Sequence, residues 1–366
     1  MVEKRCIFHI PNYLPKSGTS GSGIRPRKML NAFEELGYHV DYVMGYGKQR
    51  KQQIKKIENN IKSGIKYEFL YSESSTMPTL LTEKNHLPKY PTLDFGFFKF
   101  CKKQGIKIGL FYRDIYWKFD IYKSSVSFFK RSISIPCYYY DLKMYDKLVD
   151  ILYLPSKKMR DFVKVVDTFY PLPPGCDSRI EVKDEDCKNN SSQYLQLFYV
   201  GGVGDIYNLT KLLTVVKKLS FVRLTVCCKE KEWEEEKKRY SNLLGENIQI
   251  VHKSGEELEE YYSKADICML FFESKGYRSF CMPVKLFEYL GHIKPIIAVE
   301  DSSAGEFVEE NDIGWTIPFE GNCLEKILMD VYHDKTQLDD KLYHLKKTLG
   351  KNTWKARAEQ VIHDLT

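Results

Sequence analysis

The segment Glu273-Ser-Lys-Gly-Tyr-Arg-Ser-Phe-Cys-Met-Pro-Val-Lys-Leu-Phe-Glu-Tyr-Leu-Gly-His-Ile-Lys-Pro295 concentrates residues able to do chemistry. A strand feeds a long loop, and the loop runs into a helix carrying Lys285 and Glu288. Three residues apart, these two side chains share one helix face. A carboxylate so placed can accept two hydrogen bonds from a ribose diol, while the helix N-terminus and the lysine neutralise a diphosphate. Those are the needs of a nucleoside-diphosphate sugar. The competing reading is an exposed i,i+3 salt bridge, worth only about 0.2–0.5 kcal/mol.

Two glycine-rich stretches, Ser17 to Gly23 and Gly201-Gly202-Val203-Gly204, fall at strand-to-helix junctions. Glycine there lets backbone N–H groups approach an anion that the helix N-terminus also favours. Gly-x-Gly-x-x-Gly is absent, and Gly23-Ile24 stands where a phosphate loop would need Gly-Lys. A tight strand-to-helix turn accounts for the glycines equally. In the first half, Phe111-Tyr-Arg113-Asp114-Ile-Tyr-Trp117 follows a strand ending. Asp114 is a candidate to deprotonate or orient an acceptor hydroxyl, and Arg113 to hold phosphate. An Arg–Asp pair capping the next element is the plain alternative. His9, ending the first strand, is either a further site candidate or a satisfied wall residue.

The elements that must position these residues alternate. Residues 6–10, a helix bearing Met29, Ala32, Phe33 and Leu36, and His39 to Met44 make a βαβ unit, the mark of a parallel sheet with helices on its faces. Strands are expected at 67–71, 106–112 and 151–155, with a helix over 138–149. Pro171-Leu172-Pro173-Pro174-Gly175 and the polar run through Asn189-Asn190-Ser191-Ser192 mark a boundary. The second half repeats the alternation: strands at 195–200, 222–227, 248–251, 266–272 and 295–299, and a helix carrying Leu209, Leu212, Leu213, Val216 and Leu219. A capping box at Ser254-Gly255-Glu256-Glu257 opens another helix, and a short one covers 284–290. The expected domains are 1–172, a linker at 173–194, 195–350, and a C-terminal helix over 351–366 packing back on the first domain, with Trp354, Ala358, Val361, Ile362 and Leu365 on one stripe.

At 366 residues, 43% hydrophobic and 14% aromatic, the chain supports two cored domains. No apolar run reaches the roughly 18 residues of a membrane span, and the stretch before Ile10 is too short for a secretory signal. Ten cysteines without a Cys-x-x-Cys pair argue against a zinc cage and for free thiols in a reducing cytosol. Charge is asymmetric. Residues 1–176 carry 30 Lys/Arg against 16 Asp/Glu, net +14; residues 177–366 carry 26 against 33, net −7. Two basic stretches stand out: Lys48 to Lys62, with Ile54, Ile57 and Ile61 on one side, and Phe128 to Tyr140, mixing aromatics with Lys130 and Arg131. Each suits an anionic membrane surface or an ordinary solvated helix.

Residues 282–297, Met-Pro-Val-Lys-Leu-Phe-Glu-Tyr-Leu-Gly-His-Ile-Lys-Pro-Ile-Ile, resemble the donor-site helix of GT-B glycosyltransferases. The likeness is to the bacterial "group 1" enzymes that build surface polysaccharides. Phe198 to Gly202, Tyr262 to Asp266, Gly314-Trp315, the Trp354 helix and the 17–23 loop resemble further parts of that family. The resemblance implies an α/β protein of two facing Rossmann-like domains with a cleft between them, the nucleotide-sugar on the C-terminal domain and the acceptor on the N-terminal one. It also implies that Glu288 binds ribose, and that Lys285 with Met282, Pro283 and Val284 holds the diphosphate. Gly202 and Gly204 would line the phosphates, with Lys211 a weaker candidate; His252 and Lys253 would flank the base, and Gly21 and Gly23 of the first-domain loop would also contact the nucleotide-sugar. No metal and no cofactor beyond the sugar nucleotide are expected. The Asp184-Glu185-Asp186 run reads as solvated linker charge.

Two features depart from the family: Phe280 stands where many members have a second glutamate, with Glu273 the nearest carboxylate upstream, and the usual Arg and Lys pair after the second glycine turn is incomplete. Retaining and inverting chemistry both stay open. The expected protein is a cytoplasmic transferase, peripheral to the membrane if its acceptor is lipid-linked. An epimerase or phosphorylase on the same scaffold is the enzymatic alternative. A membrane- or nucleic-acid-binding basic half is the non-enzymatic one, although no nucleic-acid-binding signature supports the latter.

Overall fold

Cys6-Ile7-Phe8 is buried on both sides, as a strand covered by helices on both faces must be. The same holds for residues 69–73, 108–111 and 151–154 in the sheet it belongs to, while the edge strands leave His39, Tyr42 and Tyr170 exposed. The computed structural model describes residues 3–14, 21–177 and 193–366, and the chain forms two units, Met1–Pro174 with Trp354–Thr366, and Gly175–Thr353.

In the first unit, β1 (Arg5–His9), β2 (His39–Val43), β3 (Phe69–Glu73), β4 (Lys107–Phe111), β5 (Ile151–Leu154) and β6 (Phe169–Pro171) form one parallel sheet. Its order is β2-β1-β3-β4-β5-β6. Its helices are α1 (Gly21–Glu35), α2 (Gly47–Lys62), α3 (Leu93–Lys103), α4 (Asp120–Ser125) and α5 (Phe128–Leu148). Two expectations change here. Gly21 and Gly23 are the first turn of α1 rather than its preceding loop; first-turn N–H groups have no intrahelical partner, so glycine is tolerated there. Helix α5 starts ten residues before Tyr138, continuing through Pro136, because Tyr138, Leu142 and Tyr145 pack its inner face into the unit whatever the local propensity.

In the second unit, β7 (Leu195–Val200), β8 (Val222–Cys227), β9 (Ile248–Val251), β10 (Ile267–Leu270), β11 (Ile296–Val299) and β12 (Gly314–Ile317) form another parallel sheet. Its order is β12-β11-β10-β7-β8-β9. The helices are α6 (Thr210–Lys218), α7 (Glu230–Tyr240), α8 (Glu259–Lys264), α9 (Val284–Gly291), α10 (Ser303–Glu310), α11 (Gly321–His333) and α12 (Thr336–Leu349). Alternate strand residues feed separate cores: Leu197, Tyr199 and Met269 pack with Leu213, Val216 and Leu324, and Phe198 and Cys268 pack with Leu286, Phe287 and Leu345. The 254–257 capping box does not form. Ser254 makes no side-chain cap, and Gly255 at φ +60° turns the chain into a 3-10 segment before α8.

The last helix, α13 (Trp354–Leu365), belongs to the first unit. Trp354, Ala358, Val361 and Leu365 share a core with Met29, Phe33, Tyr71 and Tyr153. Arg357 Nε donates to the carbonyls of Pro173 (3.1 Å) and Pro174 (3.2 Å). Chain polarity explains the need: a proline-rich run has carbonyls to satisfy and few N–H groups of its own. The Asp184–Asp186 run lies outside the described residues.

Candidate functional site

In the second sheet the chain builds outward from β7 in one direction and from β10 in the other, and these two strands are neighbours. Such a reversal leaves a crevice at the carboxyl ends of the two strands, where open parallel sheets take ligands. The chain leaving β7 is Gly201-Gly202-Val203-Gly204. The chain leaving β10 runs through Arg278 to Pro283 and into α9.

Gly201 lies under the amine of Lys285: a Cβ at that glycine would sit 1.7 Å from Nζ and 2.6 Å from the Tyr199 hydroxyl. The amine lies 5.3 Å from the Tyr199 ring centre and 5.1 Å from that of Tyr207. Burial among these groups pulls its pKa down to about 8, with Glu288 and Glu232 partly offsetting the drop. Arg278 lies over the other aromatic neighbours, 4.5 Å from Tyr207 and 4.1 Å from Phe272. Burial lowers its pKa as well. Arg278 adds to the fall at Lys285, and among the described residues neither cation forms a salt bridge. Two half-buried cations at a sheet crevice without an ion pair are costly alone and suited to a multiply charged anion.

Glu288 stands on the same face of α9. Burial raises its pKa, while Lys285 and then His292 draw it down. His292 anchors the end of that helix: Nδ1 donates to the Glu288 carbonyl at 2.7 Å, and the ring stacks on Tyr262 at 3.7 Å. Pro283 is the extended residue before α9, and no side chain caps the first turn. Met282, Pro283 and Val284 are half-buried at that turn, where open N–H groups favour negative charge.

Other expected contributors are committed elsewhere. The N–H groups of Val203 and Gly204 donate to Glu232 Oε1 at 2.9 and 3.1 Å. A carboxylate from α7 therefore holds the backbone donors of Gly204 that were expected to face phosphate. Gly202 serves packing: a Cβ there would meet the Tyr207 ring at 2.8 Å and Glu232 at 2.9 Å. Lys211 does not join the cations, because its amine donates to the Phe319 carbonyl at 2.7 Å and covers that ring. His252 donates from Nδ1 to the Cys228 carbonyl at 2.9 Å, and Lys253 pairs with Glu257 one turn on. Phe280 is buried, and Glu273 is exposed and paired with Lys275. The sequence reading missed Arg278 and Glu232. An arginine two residues after a glycine, inside an aromatic loop leading to the lysine helix, was the available signal for the first; nothing in the spacing marks the second.

The first sheet has its own reversal, between β1 and β3. There the polar groups are paired. His9 Nδ1 lies 2.8 Å from Ser72 Oγ and Nε2 lies 3.0 Å from Asp94 Oδ1. Arg50 contacts both Asp94 oxygens, at 2.9 and 3.1 Å. Burial lowers the His9 pKa; His9 and Arg50 hold that of Asp94 below its usual range against burial. Arg113 donates to the buried Glu73 at 3.0 Å, which Arg25 also approaches at 3.4 Å. Asp114 accepts the Tyr116 N–H at 2.9 Å. Thus Arg113 and Asp114, expected to act together on an acceptor, have separate structural partners. Among the described residues no group of three or more His, Cys, Asp or Glu could hold a metal ion.

No known protein-family model matches the chain, and no curated protein does. Solved structures do. A glycosyltransferase from Rickettsia africae superposes at a TM-score of 0.65 with 13% identity, over 99% of this chain and 98% of that one. Anabaena HepE in complex with UDP-glucose gives 0.63 and 11%, over 98% of each chain. WaaG, a glycosyltransferase involved in lipopolysaccharide biosynthesis, gives 0.59 and 14%, over 99% of each. With two six-stranded parallel sheets and neighbours of this kind, the chain has the α/β GT-B fold of glycosyltransferases.

Proposed function

We propose that the protein is a glycosyltransferase that moves a sugar from a nucleoside-diphosphate sugar to a hydroxyl of a glycan or lipid-linked acceptor, in the building of surface polysaccharide. The observation that carries this reading is the unpaired couple Arg278 and Lys285 beside Glu288 at the β7/β10 reversal. Glu288 accepts hydrogen bonds from the ribose diol. The two cations and the first turn of α9 hold the diphosphate, and as the sugar–oxygen bond breaks they stabilise the charge that gathers on it. In this reading the chain's own side chains do the work a divalent ion does elsewhere. The UDP-glucose bound to HepE and the lipopolysaccharide role of WaaG support the donor class and the kind of product. The transferred group is a hexose, and the reaction runs in the cytoplasm, at the membrane's inner face when the acceptor is lipid-linked.

Calorimetry with UDP-glucose tests the donor site. Glu288→Ala is expected to weaken binding at least about tenfold with the melting temperature of the free protein preserved. Equal affinity in the variant overturns the assignment. Incubating the sugar nucleotide with and without a glycan acceptor separates transfer from epimerisation: a new sugar nucleotide formed without acceptor would replace the transferase reading by an epimerase.

A further inference from the structure

Helix α5 exposes an apolar stripe at its beginning. Phe128 and Phe129 are 78% and 77% exposed, the most exposed large apolar side chains among the described residues, and Ile133 and Tyr139 follow at 52% and 55%. With a helical repeat of 3.6 residues, Phe128, Phe129, Ile133, Pro136 and Tyr139 line one side over about 16 Å. Tyr138, Leu142 and Tyr145 turn the opposite side into the unit's core. This pattern differs from that of the other basic stretch, α2, whose Ile54 and Ile57 are buried and which shows solvent mostly lysine.

Charge says what covers the stripe. Within α5 up to Tyr140 there are Lys130 and Arg131 and no Asp or Glu, while Lys123 just before it is paired with Asp120. The positive end of the α5 dipole lies beside the two phenylalanines, and the first 176 residues carry net +14. Among the described residues no helix is long and apolar enough to cross a membrane. An exposed aromatic stripe flanked by cations, on a helix packed along its other side, has the layout of a segment lying in a bilayer interface.

We propose that the first three turns of α5 dock the first unit on an anionic lipid bilayer, with Phe128, Phe129 and Ile133 inserted among the acyl chains and Lys130 at the headgroups. This deepens the reading of a lipid-linked acceptor and rests on it only for the biological reason to be there. The test is co-sedimentation of the full chain with vesicles of phosphatidylglycerol and phosphatidylethanolamine, and with phosphatidylcholine alone. Binding to the anionic vesicles is expected, falling at least about tenfold in Phe128→Ser/Phe129→Ser and about fivefold in Lys130→Glu. These positions are exposed, so melting curves should match the native protein. No binding to anionic vesicles, equal binding to phosphatidylcholine, or a double variant that binds as the native protein does would overturn the proposal. So would a self-associated species in sedimentation velocity that the double variant dissolves, since the stripe would then be a protein interface. A thermal shift with UDP-glucose on the same samples keeps the two readings apart. A shift without vesicle binding removes only the docking face; vesicle binding without a shift removes only the donor site.

Discussion

The two sheets each reverse direction once, at β1/β3 and at β7/β10, and the reversals are furnished in opposite ways. At β1/β3 the charges are buried and matched: Arg50 is clamped to Asp94, His9 is bonded through both ring nitrogens, and Glu73 takes Arg113 and Arg25. At β7/β10, Arg278 and Lys285 lie over aromatic rings, and burial pulls both pKa values down, with Glu288 and Glu232 only partly offsetting the fall at Lys285. Matched buried charges cost little further and lose much when one partner goes. Unmatched half-buried cations store an unfavourable term that a binding anion relieves. On the function proposed above, one reversal holds its unit together and the other is left to receive a ligand.

Mutation should split the two reversals. The largest effect expected is on folding: Arg50→Ala leaves Asp94 and His9 buried without their cation, and should cost about 3–5 kcal/mol in a denaturant titration. A loss below about 1 kcal/mol would mean that this cluster is not structural. At the other reversal the effect moves to binding. Lys285→Ala and Arg278→Ala should each weaken UDP-glucose about 10–100-fold by calorimetry, while the melting temperature of the free protein holds or rises because a poorly solvated charge has been removed. If either variant unfolds instead, the two reversals do the same job and the contrast fails. The smallest effect is one of pH. Burial pulls the Lys285 pKa of the free protein down to about 8, and a bound diphosphate must raise that value. Affinity should therefore be full below pH 8 and fall as pH rises through 8 towards the bound value, by at most about tenfold per pH unit. In Lys285→Ala that slope should vanish; its persistence would assign the titration to another group.

Much of this was legible without coordinates. Strands 195–200, 222–227 and 248–251 lie where short apolar-rich segments between turn residues put them, the last two with Arg223, Thr225 and Gln249 alternating with apolar neighbours, the period-two pattern of a strand. Lys285 and Glu288 share a face because helical spacing requires it. The reading was poorer where long-range packing overrides local signals. Helix α5 runs through Pro136, and β6 forms from Phe169–Pro171 beside β5, since an edge strand tolerates the missing N–H of proline.

The chain by itself determined its alternation of strands and helices, its basic first half, and the lysine–glutamate helix, all set by composition and spacing within a few turns. Only the tertiary structure decided which charges are spent. Glu232, some thirty residues from Gly204, takes the N–H groups of the glycine turn, Phe319 takes Lys211, and Glu73 takes Arg113, whereas Arg278 and Lys285 lie over aromatic rings with no salt bridge among the described residues. The reason is physical: an ion pair acts over a few ångströms of space and takes no account of separation along the chain.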